Sequence, residues 1–163
     1  MQKDFIIIGQ GISGTWLSYY LLKAGKTVLV IDQENPASPS RIAAGVINPV
    51  TGRRHATVWM ADEVLPFAQK AYTGLEAEWG IKTICPCSII DFFPSPQMRL
   101  SFLDRVREHN SYTAMPVADN HFTGWFNYDF GYGEIQPSYT VHLENILPAW
   151  RSRLKANGNM LEE

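Results

Sequence analysis

The opening of the chain alternates short apolar runs with one apolar stripe at helical spacing. Asp4 to Ile8 is a short run rich in isoleucine, which is typical of a strand buried on both faces of a parallel sheet. From Ile12 onward apolar residues recur at helical spacing as far as Gly25, and Thr27 to Ile31 forms a second apolar run. The pattern therefore predicts strand, helix and strand, joined by a right-handed crossover between parallel strands.

The middle of the chain predicts two further helices separated by a strand. The first helix ends at Gly80, with Pro66 either at a kink or in its first turn, and its apolar stripe comprises Val64, Ala68, Ala71, Leu75 and Trp79. Lys82 to Phe93 is strand-like, and Ser95 followed by a proline predicts the cap of a helix that reaches about His109.

The last part of the chain changes from aromatic to helical patterning. Phe122 to Ile135 is dense in aromatic residues, with Gly131 and Gly133 as turn signals, which predicts a hairpin in a mainly antiparallel sheet of a second subdomain. Ser138 is predicted to cap a helix whose apolar stripe is Leu143, Leu147, Trp150 and Leu154. Residues 159–163 predict the start of another strand.

Composition and charge narrow the class of protein. The 163 residues are 45% hydrophobic and 18% charged with a net charge of −2, the profile of an ordinary globular protein. Charge predicts no nucleic-acid or membrane partner, and the cluster Arg53-Arg54-His55 is interpreted as a solvated loop. The first apolar run is too short for a signal peptide or a membrane span, so a cytoplasmic location is expected.

Few side chains suggest catalysis or metal binding by themselves. Cys85 and Cys87 flank a single proline and lack nearby further ligands, so both are interpreted as structural thiols and no metal site is predicted. The histidines are interpreted as surface or satisfied residues rather than catalysts, and no general base is assigned; they are His55, His109, His121 and His142.

The candidate chemistry lies in Gly9-Gln10-Gly11-Ile12-Ser13-Gly14, a GxGxxG loop directly between a predicted strand and a predicted helix. Gly9 permits the tight turn, Gly11 lets a pyrophosphate approach the backbone, and Gly14 lets the helix pack on the strand. The helix then directs its free amides and partial positive charge at the phosphates. The loop, including Ile12 and Ser13, therefore predicts dinucleotide binding.

Asp32 ends the second predicted strand, where a carboxylate can accept hydrogen bonds from ribose hydroxyls. Gln33, beside it, is included in the predicted cofactor site. The strand, helix and acid are shared by NAD and FAD proteins, so at this point the identity of the dinucleotide is open.

The segment that follows resembles one protein family. Ser38-Pro39-Ser40-Arg41-Ile42-Ala43-Ala44-Gly45-Val46-Ile47-Asn48-Pro49 is similar to the segment after the ribose-binding acid in the D-amino-acid oxidase and glycine oxidase family of FAD enzymes. The resemblance implies that Ser40 and Arg41 lie near the phosphates. It also implies that Ala44, Gly45 and Val46 lie against the isoalloxazine ring, where bulky side chains would collide.

A second stretch resembles the same family. Gly133-Glu134-Ile135-Gln136-Pro137, a long helix and Asn157-Gly158 look like its return path from the substrate domain, after which the next strand joins the sheet beside the first. The implied fold is α/β: a Rossmann-like FAD-binding domain of the GR2 type, incomplete, with an inserted α+β substrate subdomain containing a mainly antiparallel sheet. The expected bounds are 1–80 for the first part of the FAD domain, 81–135 for the partial cap and 136–163 for the truncated return.

The resemblance implies an FAD-dependent oxidoreductase that oxidises a C–N bond of an amino acid, a small amine or a modified-tRNA amine by hydride transfer to flavin. Family members are longer, so a missing carboxy-terminal half or a partner chain is expected, and this chain alone is expected to be inactive. Two alternatives stay open. One is a non-catalytic dinucleotide-binding module, and the other is an NAD-dependent dehydrogenase, which would need a crossover helix and third strand within residues 33–56.

Overall fold

The computed structural model describes residues 2–108, 111–118 and 120–163. The chain forms two compact units, the first from residues 1–45, 75–83 and 142–163 and the second from residues 46–74 and 84–141. The helices are α1 (Ile12–Lys23), α2 (Pro39–Ile42), α3 (Ala61–Trp79), α4 (Pro96–Arg107) and α5 (Leu143–Ala156). The strands are β1 (Phe5–Ile8), β2 (Val28–Ile31), β3 (Val46–Ile47), β4 (Val50–Thr51), β5 (Ala56–Thr57), β6 (Ile84–Phe92), β7 (Thr113–Ala114), β8 (Tyr132–Val141) and β9 (Met160–Leu161).

The first unit contains a parallel three-stranded sheet in the order β1-β2-β9. Ile7 pairs with Val30, which pairs in turn with Met160. The predicted strand, helix and strand at the start of the chain are therefore confirmed, as is the strand that begins after residue 158. The expectation that this last strand joins beside the first is wrong, because the Asp32 amide donates to Leu161 O and fixes β9 at the β2 edge.

Only one face of β1 is covered, so the prediction of a strand buried on both faces is wrong. Ile7 is buried, and a close approach of α1 to its side chain covers this face. Ile6 and Ile8 point to the opposite face and are 64% and 86% exposed. Burial on both faces requires a second layer, which the described residues of this unit do not supply to β1.

Aromatic rings hold the helices of the first unit together. Trp79 stacks on Trp150 with 5.2 Å between ring centroids, and Tyr19 meets Trp79 and Trp150 edge-on. Trp150 Nε1 also donates a hydrogen bond to Ser18 Oγ at 2.7 Å, so the indole N–H is satisfied inside the core. The predicted apolar stripe of α5 is confirmed, because Leu143, Leu147, Trp150 and Leu154 are all buried.

The second unit is built on antiparallel pairing, as predicted. Its main sheet has the order β3-β8-β6, with β7 pairing on β8, and β4 and β5 form a separate two-stranded sheet. The long pair of β6 and β8 shifts register between Cys87 and Ile89. Cys85 and Cys87 lie on β6 as free thiols.

Two predictions in the carboxy-terminal half are wrong. Residues 122–125 form turns rather than a strand of a hairpin, and the strand begins only at Tyr132. The aromatic residues of this segment instead pack on Phe92, with ring centroids 5.8 Å away for Phe122 and 4.9 Å away for Tyr128. Ser138 caps no helix, because it lies inside β8 and its hydroxyl donates to Ile135 O.

The middle helices match their predictions in part. Ser95 Oγ accepts a hydrogen bond from Met98 N and caps α4, while His109 lies outside the described residues. Pro66 lies within α3, and the predicted stripe of this helix is confirmed at Leu75 and Trp79, which are both buried. Leu65 and Tyr72 are buried on α3, and Val64 is exposed.

The interpretation of Arg53-Arg54-His55 as a solvated loop fails at its last residue. The side chain of His55 is buried, with Nε2 2.9 Å from Asp91 Oδ2 and its ring edge-on to Phe102. Burial of the ring between an acid and an aromatic residue needs contacts from distant parts of the chain. None of the described helices is long and apolar enough to cross a membrane.

Candidate nucleotide-binding site

The glycine-rich loop leaves β1 in a conformation that only glycine adopts readily. Gly9 has a φ of +94°, and its amide donates to Ile31 O at 2.8 Å. A Cβ on Gly14 would lie 2.0 Å from Gly9 O and 3.4 Å from an Ile7 side-chain carbon. The backbone of α1 therefore packs directly on the loop and on β1, which is the task predicted for Gly14.

The head of α1 offers backbone amides without a capping side chain of its own. Gly11 is the N-cap and makes no side-chain cap, and no acidic residue lies in the first turn. Ile12 N instead donates to Ser40 Oγ at 3.0 Å, and a Cβ on Gly11 would lie 2.9 Å from that same hydroxyl oxygen. The Ser40 hydroxyl oxygen thus accepts a hydrogen bond from the head of α1, where the partial positive charge of the helix favours an anion. The Ser13 side chain is exposed beside it.

The Asp32 carboxylate lies against the loop. Its Oδ1 accepts a hydrogen bond from Gln10 N at 3.0 Å, and its Oδ2 accepts one from Glu34 N at 2.9 Å. Partial burial of the side chain disfavours the charged form. Hydrogen bonds from the Gln10 and Glu34 amides and from the Arg151 guanidinium outweigh that effect, and hold the pKa of Asp32 below its usual range. Asp32 is therefore a charged acceptor at neutral pH.

Gln10 and Arg151 are parts of the site that sequence reasoning missed. Gln10 is buried, and its Nε2 donates to Thr15 Oγ1 and to Leu147 O, which ties the loop to α5. Arg151 donates from Nη1 to Asp32 Oδ2 at 2.6 Å. The variable position of the loop motif gave no signal for Gln10. Arg151 lies on α5, 119 residues from Asp32 along the chain, and the sequence pattern of that helix indicates only its apolar stripe.

The segment after Asp32 divides between the two units. Ser40 and Arg41 lie on α2, and Arg41 Nη2 donates to Gln10 Oε1 at 3.5 Å, so both predicted phosphate-side residues are near the loop. Gly45 has a φ of +68° at the end of this stretch, beside the exposed Ala44. Val46 begins β3 and belongs to the second unit, whereas the glycine-rich loop, Ser40 and Arg41 belong to the first. Gln33 is exposed just after the end of β2.

The residues present suit a diphosphate joined to a sugar. Backbone amides, the Ser40 hydroxyl and the Arg41 guanidinium are hydrogen-bond donors or cations, as phosphate oxygens require. A carboxylate acceptor that suits ribose hydroxyls lies next to them at Asp32. A Cβ on Gly11 would approach the Ser40 hydroxyl oxygen to 2.9 Å, so a larger residue at this position would intrude beside the head of α1.

Residues 33–56 do not form the element pair that an NAD-type Rossmann domain places there. They contain α2, of four residues, followed by β3, which pairs antiparallel with β8 of the second unit. The third parallel strand comes instead from β9. Residues 33–56 therefore lack the crossover helix and third parallel strand that the NAD-dependent alternative requires.

A parallel sheet, a glycine-rich turn into a helix and an acid at the end of the second strand define a dinucleotide-binding α/β protein. The profile of the FAD dependent oxidoreductase family, DAO, matches residues 4–158. The chain therefore belongs to this family of flavoproteins, whose cofactor is FAD. The resemblance in the sequence and the predicted α/β fold are both confirmed.

Individual relatives are similar over different lengths. The uncharacterized oxidoreductase YurR of Bacillus subtilis (strain 168) is 39% identical over 57 residues, which are 35% of this chain and 15% of YurR. Glycine oxidase from Geobacillus kaustophilus matches with a TM-score of 0.73 and 14% identity, covering 98% of this chain and 45% of that one. L-amino acid deaminase from Proteus vulgaris matches with a TM-score of 0.67 and 16% identity, covering 98% and 39%. The chain thus spans less than half the length of each of these relatives.

Proposed function

We propose that the loop Gly9–Gly14 and Asp32 bind the ADP moiety of FAD, with the loop at the diphosphate and the carboxylate at the ribose. One observation carries the proposal: Gln10 N donates to Asp32 Oδ1 at 3.0 Å, which holds the anion-binding loop and the sugar-binding acid side by side. Binding of adenosine diphosphate requires two interactions: the phosphates accept hydrogen bonds from the amides at a helix head, and a ribose hydroxyl donates a hydrogen bond to a carboxylate.

Ser40 and Arg41 are proposed to complete the phosphate side of the site. The Ser40 hydroxyl lies where it bonds Ile12 N, so a small rotation would let it donate to a phosphate oxygen while that oxygen accepts from the helix head. Arg41 supplies a cation near Gln10. Ala44 and Gly45 are proposed to face the flavin ring, because a methyl group and a hydrogen atom allow a flat ring to approach.

The reaction proposed for the whole protein is oxidation of a C–N bond in an amino acid or another small amine. Bound FAD supplies the hydride acceptor, and the residues of this chain hold its adenosine end. Support comes from the family and from the fold, which this chain shares with a glycine oxidase and an L-amino acid deaminase.

Calorimetric titration of the 163-residue protein with ADP tests the nucleotide site. We expect saturable binding, and we expect Asp32→Asn to weaken it by about tenfold, because a hydrogen bond to a charged group contributes roughly 1.5–3 kcal/mol. Asp104→Asn is the matched control, since it removes one carboxylate charge from an exposed pair on α4. Absence of ADP binding, or equal binding by wild type and Asp32→Asn, would contradict the proposal.

The proposed reaction is tested on the natural protein that carries this chain, loaded with FAD in the absence of oxygen. Amino acids should bleach the absorbance of oxidised flavin, while the corresponding 2-hydroxy acids should not. The pairing isolates the reacting bond, because the two sets differ only in nitrogen or oxygen on the oxidised carbon. Bleaching by the hydroxy acids alone would exclude C–N oxidation while leaving the flavin site intact.

A further inference from the structure

Arg151 is a buried cation whose partners include the proposed ribose-binding acid. The residue is 3% exposed on α5. Its Nη1 donates to Asp32 Oδ2 at 2.6 Å, and its Nη2 donates to the backbone oxygen of Asp32 at 3.1 Å. One guanidinium therefore holds both the side chain and the main chain of Asp32.

Counting acceptor positions shows what is left for a ligand. A carboxylate has about four acceptor positions, two on each oxygen. Asp32 Oδ2 accepts from Glu34 N and from Arg151, so both of its positions are used. Oδ1 accepts from Gln10 N, which leaves its second position as the vacant one among the hydrogen bonds of the described residues. Rotation of the carboxylate would break at least two of these bonds.

Arg151 also offsets a local excess of negative charge. Glu162 Oε1 accepts from Nη2 at 2.6 Å, and Glu34 Oε2 lies 3.0 Å from Nε without forming a hydrogen bond. Lys155 is the other cation in this group, 2.6 Å from Glu162. Without Arg151, three carboxylates at the end of β2 and β9 would repel one another and Asp32 would lose its fixed orientation.

We infer that Arg151 is a positioning residue for the nucleotide, because it fixes the Asp32 carboxylate so that Oδ1 faces a ribose hydroxyl. The inference rests on the proposed function of Asp32. A purely structural role, in which Arg151 only joins α5 to the sheet, would stabilise the fold without affecting how the ribose is recognised. The two roles differ in a quantity that can be measured: the preference for a nucleotide that carries both ribose hydroxyls.

The experiment compares the affinities of ADP, 2′-deoxy-ADP and 3′-deoxy-ADP for the 163-residue protein. Wild type should prefer ADP over one of the deoxy nucleotides by about tenfold, the worth of one hydrogen bond to a charged group. In Arg151→Met this preference should fall to about twofold or less, because Asp32 is then free to rotate. Arg151→Lys should give an intermediate value, since a single ammonium keeps the charge without the planar fork.

Arg153→Met is the matched control on the same helix. Arg153 stacks over the Trp79 ring, 4.6 Å from its centroid, and the hydrogen bonds of Asp32 do not include it, so the ADP preference should keep its wild-type value. Arg151→Lys also serves if Arg151→Met does not fold, because an unchanged preference in the lysine variant would overturn the inference.

The outcomes separate this inference from the proposed function. Failure of the wild-type protein to bind ADP would overturn both. ADP binding with equal loss of affinity for all three nucleotides in Arg151→Met would overturn the positioning role and leave the nucleotide site standing. Selective loss of the preference for ADP supports both.

Discussion

Each of the two units has a glycine where a larger residue would collide, but the colliding atoms differ. In the first unit a Cβ on Gly14 would lie 2.0 Å from the backbone oxygen of Gly9. In the second unit a Cβ on Gly133 would lie 2.3 Å from the ring of Phe102. The first unit is constrained by backbone meeting backbone, and the second by backbone meeting a packed side chain. Both constraints appear in the sequence as glycines, but a packed side chain can shift or be replaced by another residue type, whereas the backbone of the loop cannot.

The units also differ in their electrostatics. Among the described residues, the carboxyl groups whose pKa is lowered belong to the first unit: Asp4, Asp32, Glu78, Glu144 and Glu162. In the second unit burial, followed by a hydrogen bond to Asp62, raises the pKa of Tyr112 to about 12. The lowered carboxyl pKa values thus lie in the unit that contains the proposed nucleotide site. The second unit is built on long antiparallel strand pairing, whereas aromatic packing is found in both units.

Gly14→Ala should have the largest effect and would show how rigid the backbone contact is. Neither Gly9 O nor the first turn of α1 can move away without distorting the loop, so we expect a loss of about 3 kcal/mol in the free energy of unfolding. Urea unfolding followed by tryptophan fluorescence measures it. Gly74→Ala is the control, because that position in α3 has open space and should gain roughly 0.5–1 kcal/mol. A Gly14→Ala protein as stable as wild type would refute the contrast between the units.

Gly133→Ala should cost less, about 1–3 kcal/mol, because a ring can shift more easily than a backbone. Phe102 is fully buried, so moving its ring would still disturb the surrounding packing and lower the free energy of unfolding. Combining Gly133→Ala with Phe102→Leu should recover part of the loss, with a coupling of about 1 kcal/mol in a double-mutant cycle. Additive losses in the cycle would show that the ring is not what opposes the added methyl group.

Asp32→Asn should have the smallest effect on stability, and it should depend on pH. The native pKa of Asp32 lies below its unfolded value, so its contribution is present above the unfolded pKa and is lost as pH falls through the native pKa. We expect the variant to be less stable than wild type by roughly 1.5 kcal/mol at neutral pH. The difference should shrink under acidic conditions below about pH 4.

Urea unfolding at several pH values measures this difference, with Asp104→Asn as the control in the second unit. Asp104 and Arg107 are an exposed pair 3.4 Å apart, so removing the charge should change stability by at most about 0.5 kcal/mol at any pH. A difference between wild type and Asp32→Asn that stays constant from neutral to acidic pH would show that the charged form of Asp32 does not stabilise the native state.

Much of the first unit could be predicted from the sequence because its requirements are local. Only α1 and β2 lie between the glycine-rich loop and Asp32, so the tasks of Gly9, Gly14 and Asp32 follow from the path of the backbone through that unit. The predicted strand in the aromatic segment after Phe122 is wrong, since aromatic residues favour strands and the sequence does not reveal that Phe92 is their packing partner.

The sequence by itself determined the order of strand, glycine loop, helix and acid, and with it the family of the protein. Only the tertiary structure decided that Arg151 meets Asp32, that His55 is buried against Asp91 and that β1 keeps one face exposed. The physical reason is the distance along the chain over which each feature is set. A backbone turn is fixed by the residues within it, whereas an ion pair or a buried face depends on which distant elements the fold brings together.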